Sequence, residues 1–292
     1  MANAKEPVWD PYLKGIGQIM LQANPWTGLL FIIGILVNSP IMALGAVVAT
    51  IVGTVTAKLL KYDRTEIDNG LYGFNAALIG VAFINFFQAT VLVWVAIVLL
   101  SALTTVMMNY CLRNKIPIFT FPFILLTWIG LFVFHSVMPV PEPVDVPLEL
   151  VDDDFSLMFH GLGFGEVIFQ GSLLSGIIFF IAVYISSPNA ALYGIAGSLF
   201  GVIAAILLKE RIGDVKMGMF SFNAVLCAIT FSGLRKRDGL YVLLAVILSG
   251  IIEDAMLRNA LSVLTFPFVL ATWLVLIIRD VLVKRFISPN WV

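Results

Sequence analysis

The chain repeatedly offers apolar runs of the length needed to cross hydrocarbon, and no other feature limits its fold as much. The runs are Ile41 to Leu60, Val91 to Val106, Phe121 to Met138, Ser172 to Ile185, Ala190 to Leu208, Leu240 to Ile252 and Phe266 to Leu282. In lipid, every backbone N–H and C=O must find a partner inside the protein, so such runs fold as helices. Charged residues make up 12% of the chain, against about a quarter in soluble domains. The expected class is an all-α polytopic membrane protein. The runs establish several spans without fixing their number.

Lys and Arg give the orientation. Neither occurs from Ile116 to Leu208, an interval that contains Glu142, Asp145, Glu149, Asp152, Asp153 and Asp154. This acidic connector reads as extracytoplasmic. Lys5 and Lys14 near the start, and Arg279, Lys284 and Arg285 near the end, read as cytoplasmic. Two ends inside and a connector outside require each half to cross an odd number of times. We divide the chain into a first repeat, 1–138, a connector, 139–154, and a second repeat, 155–292. The first ten residues lack a basic stretch leading into an apolar core, so no removable signal peptide is expected. A net charge of −1 gives no nucleic-acid footprint. Cys111 and Cys227 form no disulfide framework.

The halves are related in sequence. At a shift of 148 residues, Gly28 pairs with Gly176, Ser39-Pro40 with Ser187-Pro188, Gly53 with Gly201, and Phe74-Asn75-Ala76 with Phe222-Asn223-Ala224. Three residues are then lost from the second half. At a shift of 145, Leu112-Arg113-Asn114 pairs with Leu257-Arg258-Asn259, and Thr120-Phe121-Pro122-Phe123 with Thr265-Phe266-Pro267-Phe268. Odd crossings combined with duplication make the repeats inverted. Loop charge agrees, because the stretch after Phe83 is uncharged whereas its match after Phe231 carries Arg235, Lys236 and Arg237. Inverted repeats place a solute site between the halves, near the midplane.

Both halves break before Phe-Pro-Phe. Proline disfavours helix at the preceding residue, so Phe121 and Phe266 should not continue an earlier helix. A helix ending there leaves carbonyls unpaired, which is tolerated at membrane depth only in protein or beside a wet cavity. Recurrence in both halves favours a half-crossing, re-entrant segment over an interfacial turn.

These breaks read Ile116-Pro117-Ile118-Phe119-Thr120-Phe121-Pro122-Phe123 and Leu261-Ser262-Val263-Leu264-Thr265-Phe266-Pro267-Phe268. They resemble the Leu-Pro-X-X-Thr-X-Pro-Phe signature of the urea transporter family. The chain departs from it at Ile116 and Ser262. Further likeness lies in Gly15-Ile16-Gly17-Gln18, Asn24-Pro25-Trp26-Thr27-Gly28, Leu71-Tyr72-Gly73-Phe74-Asn75 and Met219-Phe220-Ser221-Phe222-Asn223. The resemblance implies a homotrimer in the cell membrane, the inner one in bacteria, with one pore per subunit. It implies five transmembrane helices and one re-entrant half-helix in each inverted repeat. It also implies a narrow central pore of helix-end carbonyls, paired threonines and aromatic slots that passes urea, with small amides as further solutes.

Urea is planar and neutral, with four N–H donors and one carbonyl. Freed carbonyls at 116–120 and 261–265 would replace the water its N–H groups lose, and Thr120 and Thr265 would add hydroxyls where the rows meet. Phe74 with Leu78, and Phe222 with Leu226, are four residues apart and share a helical face, the expected slot walls. By resemblance, Gln18 and Glu166 lie beside the slots as acceptors, with Leu21 and Phe169 completing them. An ionisable residue such as Glu166 at membrane depth is a functional candidate by default.

No catalytic set and no cofactor is expected. His135 and His160 have no companions at metal spacing. Gly161, Gly163 and Gly165 lack the strand and βαβ context of a dinucleotide loop. Trp26, Trp94, Trp128 and Trp273 read as interfacial anchors. Two other classes remain at this point. One is an ion-coupled carrier of a small polar solute, with Glu166 as the candidate ion-holding acid. The other is an ammonia or water channel.

Overall fold

A computed structural model of the chain describes residues 7–142, 163–207, 218 and 220–286, the last six of these as backbone. Most of the acidic connector, residues 143–154, lies outside the described residues, as does His160. The described residues are helical, with no strand among them.

In chain order the helices are α1 (Asp10–Gly17), α2 (Pro25–Asn38), α3 (Pro40–Leu59), α4 (Arg64–Asp68), α5 (Phe74–Phe86), α6 (Val91–Arg113) and α7 (Phe121–Phe132). They continue with α8 (Leu173–Ser186), α9 (Pro188–Leu207), α10 (Phe222–Phe231), α11 (Lys236–Arg258) and α12 (Phe266–Phe286). The bounds of α2 and α3 become those of α8 and α9 on adding 148, and those of α6 become those of α11 on adding 145. Helix ends are set by local signals, so matched sequence gives matched ends. Pro25, Pro40 and Pro122 occupy first-turn positions, where a missing N–H costs nothing. Asn24 caps α2 by accepting from Trp26 N at 2.9 Å.

Among the described residues, four helices are long and apolar enough to cross a membrane: α3, α6, α9 and α11. A fifth crossing arises if the short stretch Asp10–Met20 and α2, bent by 73° at the Leu21 to Asn24 break, count as one. The protein is therefore an integral membrane protein. Large apolar side chains on the outer helices remain exposed, as lipid contact requires: Leu99 and Leu103 on α6, and Ile247 and Ile251 on α11. α5 is different. Every residue from Phe74 to Ile84 is buried, the pattern of a helix enclosed on all sides.

Lipid tails are as apolar as leucine, so helices associate here through close packing and shared hydrogen bonds. α3 and α5 meet at glycines, where a Cβ on Gly80 would sit 2.1 Å from the Gly45 carbonyl oxygen. Across the two halves, α2 packs on α8 in an antiparallel sense. Thr27 Oγ1 donates to Ala182 O at 2.7 Å, Ser175 Oγ donates to Gly34 O at 2.8 Å, and between them the Phe31 and Phe179 rings meet edge to face at 5.0 Å. Thr27 and Ser175, Phe31 and Phe179, and Gly34 and Ala182 are each 148 apart, so every contact is returned by its equivalent. That reciprocity is the mark of a two-fold relationship.

Candidate functional site

The site grows out of two turns that carry the same backbone. α6 ends at Arg113. Lys115 then takes a φ of 56° and Ile116 N bonds back to Cys111 O at 2.9 Å. α11 ends in the same way, with Ala260 at 53° and Leu261 N to Met256 O at 3.0 Å. This is a left-handed helix stop built without the usual glycine. Four residues on, Phe119 and Leu264 are left-handed again, at 49° and 46°. Each such residue costs about 1 kcal/mol or more, so its surroundings must hold it.

A pair of asparagines does so. Asn75 Nδ2 donates to Phe119 O at 3.1 Å while its Oδ1 accepts from Phe123 N at 3.1 Å. Asn223 repeats this with Leu264 O at 3.3 Å and Phe268 N at 3.2 Å. Each side chain bridges the strained carbonyl to an otherwise orphaned N–H in the first turn of the next helix. Both are buried at the N-termini of α5 and α10. The Phe-Asn block stood out in the sequence as a repeat, and the amide's role did not. A polar residue recurring in a fully apolar stretch was the available signal.

The carbonyl rows differ from the expectation of freed acceptors. Ile118 O accepts from Phe121 N, Phe119 O from Asn75, and Thr120 O from Ile124 N. In the second row, Val263 O accepts from Phe266 N, Leu264 O from Asn223, and Thr265 O from Val269 N. Trp128 and Trp273, expected as interfacial anchors, engage one further carbonyl in each row. Trp128 Nε1 donates to Ser262 O at 2.9 Å, and Trp273 Nε1 donates to Pro117 O. Each indole also packs on the opposite half, Trp128 on Phe266 at 5.3 Å and Trp273 on Phe121 at 5.4 Å. Buried backbone is rarely left unpaired, which explains the engagement. A carbonyl has two lone pairs, so each row still offers acceptors to a solute.

Where the rows meet, Thr120 Oγ1 and Thr265 Oγ1 lie 2.8 Å apart, both side chains buried. Thr120 sits at the N-cap of α7 without capping it, leaving its hydroxyl for its partner. A cavity of about 190 Å³ reaches Thr120 and is lined by Gln18, Leu21, Phe74, Met108 and Phe119 among others. A second, of about 390 Å³, reaches Thr265 and is lined by Glu166, Phe169, Phe222, Glu253 and Leu264 among others. The hydroxyl pair thus separates two cavities of matched construction.

Eight of the ten expected residues line these cavities, four in each. Leu78 and Leu226 do not: both are fully buried and line neither cavity. The face they share with Phe74 and Phe222 continues one turn deeper into the packed interior. Leu21 and Phe169 owe their positions to left-handed backbone, at φ of 60° and 58°, which ends the short turns Gln18–Met20 and Glu166–Ile168. The Phe169 ring lies edge-on to Phe86 at 5.7 Å and Phe123 at 6.3 Å. Gln18 Nε2 donates to Asn69 O at 3.0 Å, leaving its carbonyl as an acceptor. Met108 and Glu253 were missed by the sequence reading. No three His, Cys, Asp or Glu side chains among the described residues gather as a metal site.

Comparison with known proteins gives the family. The family model described as "Urea transporter" matches residues 9–280. "Urea transporter 1" of Rattus norvegicus is 31% identical over 241 residues, covering 77% of this chain and 63% of that protein. "Urea transporter 1" of Ovis aries is 30% identical over 298 residues, covering 92% of this chain and 76% of that protein. The chain thus spans a little under two thirds of the rat protein it matches.

Proposed function

The chain belongs to the urea transporter family, and from that premise we propose that it passes urea across the membrane as a channel. The observation that carries this reading is the Thr120–Thr265 hydroxyl pair between two cavities walled by phenylalanine and helix-end carbonyls. A planar amide slides between rings by its faces and trades water for carbonyl and hydroxyl acceptors at its edges. The partly engaged rows suit conduction, because acceptors that already hold one bond attract a solute without trapping it. Small amides share the N–H edge and belong to the same solute class.

Within this proposal the halves, 1–138 and 155–292, are inverted repeats joined by an extracytoplasmic connector, 139–154. Each has five spans and one re-entrant half-helix, and both termini are cytoplasmic. The antiparallel contact of α2 with its own equivalent α8 supports the inversion, since a two-fold relating antiparallel membrane helices runs in the membrane plane. The homotrimer and a bacterial inner-membrane setting follow from the family resemblance.

The competing carrier draws on Glu166 and Glu253, which share the second cavity and offer acids to a coupling ion. Stopped-flow urea flux in proteoliposomes, with and without Na⁺ or pH gradients, separates the two. Fast flux down the urea gradient that ignores the ion gradients supports the channel. Uphill accumulation driven by either gradient replaces it with the carrier.

A further inference from the structure

The two cavities are matched in framework and unequal in chemistry. Gln18 in the first corresponds to Glu166 in the second, and Met108 in the first corresponds, 145 residues on, to Glu253 in the second. Met108 and Glu253 are both buried, on α6 and α11, one turn or more before the helix stop. Burying a carboxyl near an apolar wall costs several kcal/mol unless a partner or a wet cavity compensates. Methionine occupies the matched position in the first cavity, so the two mouths differ there by an acid that lines the second.

An amide such as Gln18 offers a solute both a donor and an acceptor, and a thioether is at most a weak acceptor. A carboxylate accepts only, and it takes two parallel N–H bonds with the geometry of a planar nitrogen frame. On the reading that the two cavities are the ends of one solute path, we propose that Glu253 determines the specificity of the second mouth, which selects planar solutes by their N–H edges. Its preferred class is the guanidinium type, which has urea's shape, N–H groups on all three arms and a positive charge. The second cavity offers such a solute Glu253, Glu166 and the Phe222 ring as a flat wall, all three in its lining. The first mouth, with Gln18 and Met108, accepts neutral amides and has no charge to hold the cation.

The test is equilibrium binding to the purified full chain in detergent, titrating guanidinium chloride and urea separately by calorimetry at matched ionic strength. It reads the site without flux, so a protein that binds as described but passes no urea would sink the channel and leave the specificity assignment standing. The wild type is expected to bind guanidinium at least about tenfold more tightly than urea, and Glu253→Met to lose that preference. Glu253→Gln keeps the shape and removes the charge; it should weaken guanidinium binding more than urea binding, and it decides the matter if the methionine variant fails to fold. A wild type with no preference for guanidinium, or Glu253→Gln with the wild-type preference intact, overturns the proposal.

Discussion

The hydroxyl oxygens of Thr120 and Thr265 lie 2.8 Å apart, from positions 145 residues distant in the chain, and each tops a helix that begins with Phe-Pro-Phe. Neither residue could hold this position without the left-handed residue before it. Phe119 and Leu264 turn the chain immediately before the two hydroxyls that meet. The strain at these two residues is therefore tied to the geometry of the threonine pair.

The asparagine clamps hold that strain, and their loss should be felt twice. Asn75→Ala or Asn223→Ala removes a donor and an acceptor at once, leaving a buried carbonyl and N–H short of partners. The expected destabilisation is about 1–3 kcal/mol for each, with slower urea flux. Thermal unfolding in detergent, with flux measured on the surviving protein, checks both. Wild-type melting in both variants would remove the clamp from the account.

The tryptophans tie each helix stop to the other half. Trp128→Phe and Trp273→Phe keep a ring against Phe266 and Phe121 but delete the N–H that reaches Ser262 O and Pro117 O. Each should lower stability by about 1 kcal/mol, and the double variant should lose roughly the sum. Melting temperatures of the three proteins give the answer, and an interfacial-anchor role alone would leave them unchanged.

A Cβ on Gly34 would stand 2.4 Å from the Phe179 ring, at the contact between the two halves. Gly34→Ala should therefore cost about 1–3 kcal/mol by overpacking, and Phe179→Leu in the same protein should return part of it. A destabilised single variant that the second change does not relieve would mean the clash lies elsewhere.

Ala260 is exposed and left-handed, and its side chain is a single methyl group. Ala260→Gly should hold or raise the melting temperature, whereas Ala260→Val should lower it by the equivalent of about 1–2 kcal/mol. The same melt separates the outcomes, and equal temperatures for the two variants would contradict the left-handed stop.

Much of this was legible before any coordinates. The apolar runs gave helices, and the shifts of 148 and 145 paired Pro25–Asn38 with Leu173–Ser186 and Val91–Arg113 with Lys236–Arg258, because local end signals are written in local sequence. The threonines were singled out by the Thr-Phe-Pro-Phe block that recurs in both halves and resembles the family signature. What stayed hidden is long-range. The shared face of Phe74 and Leu78 says nothing about depth, so Leu78 passed for a slot wall when it lies in the interior. Trp128 looked like an anchor because an indole N–H seeks any acceptor, and its partner is 134 residues away in the chain. Glu253 stands beside Asp254 and near Arg258 at a helix end, so nothing in its local sequence marks it. Arg258 bonds Asp254 at 2.8 Å on an exposed face, and the helical turn puts Glu253 on a different face, which lines the cavity.

The central claim, that urea crosses at the threonine pair, is tested most directly by stopped-flow urea permeability of proteoliposomes bearing wild-type protein, Thr120→Val or Thr265→Val, at equal protein density. Removing one acceptor at the narrowest point should cost about 1–3 kcal/mol of barrier, a slowing of roughly fivefold to a hundredfold against a wild type far above empty vesicles. Wild-type permeability equal to that of empty vesicles, or both valine variants at the wild-type rate, would contradict it.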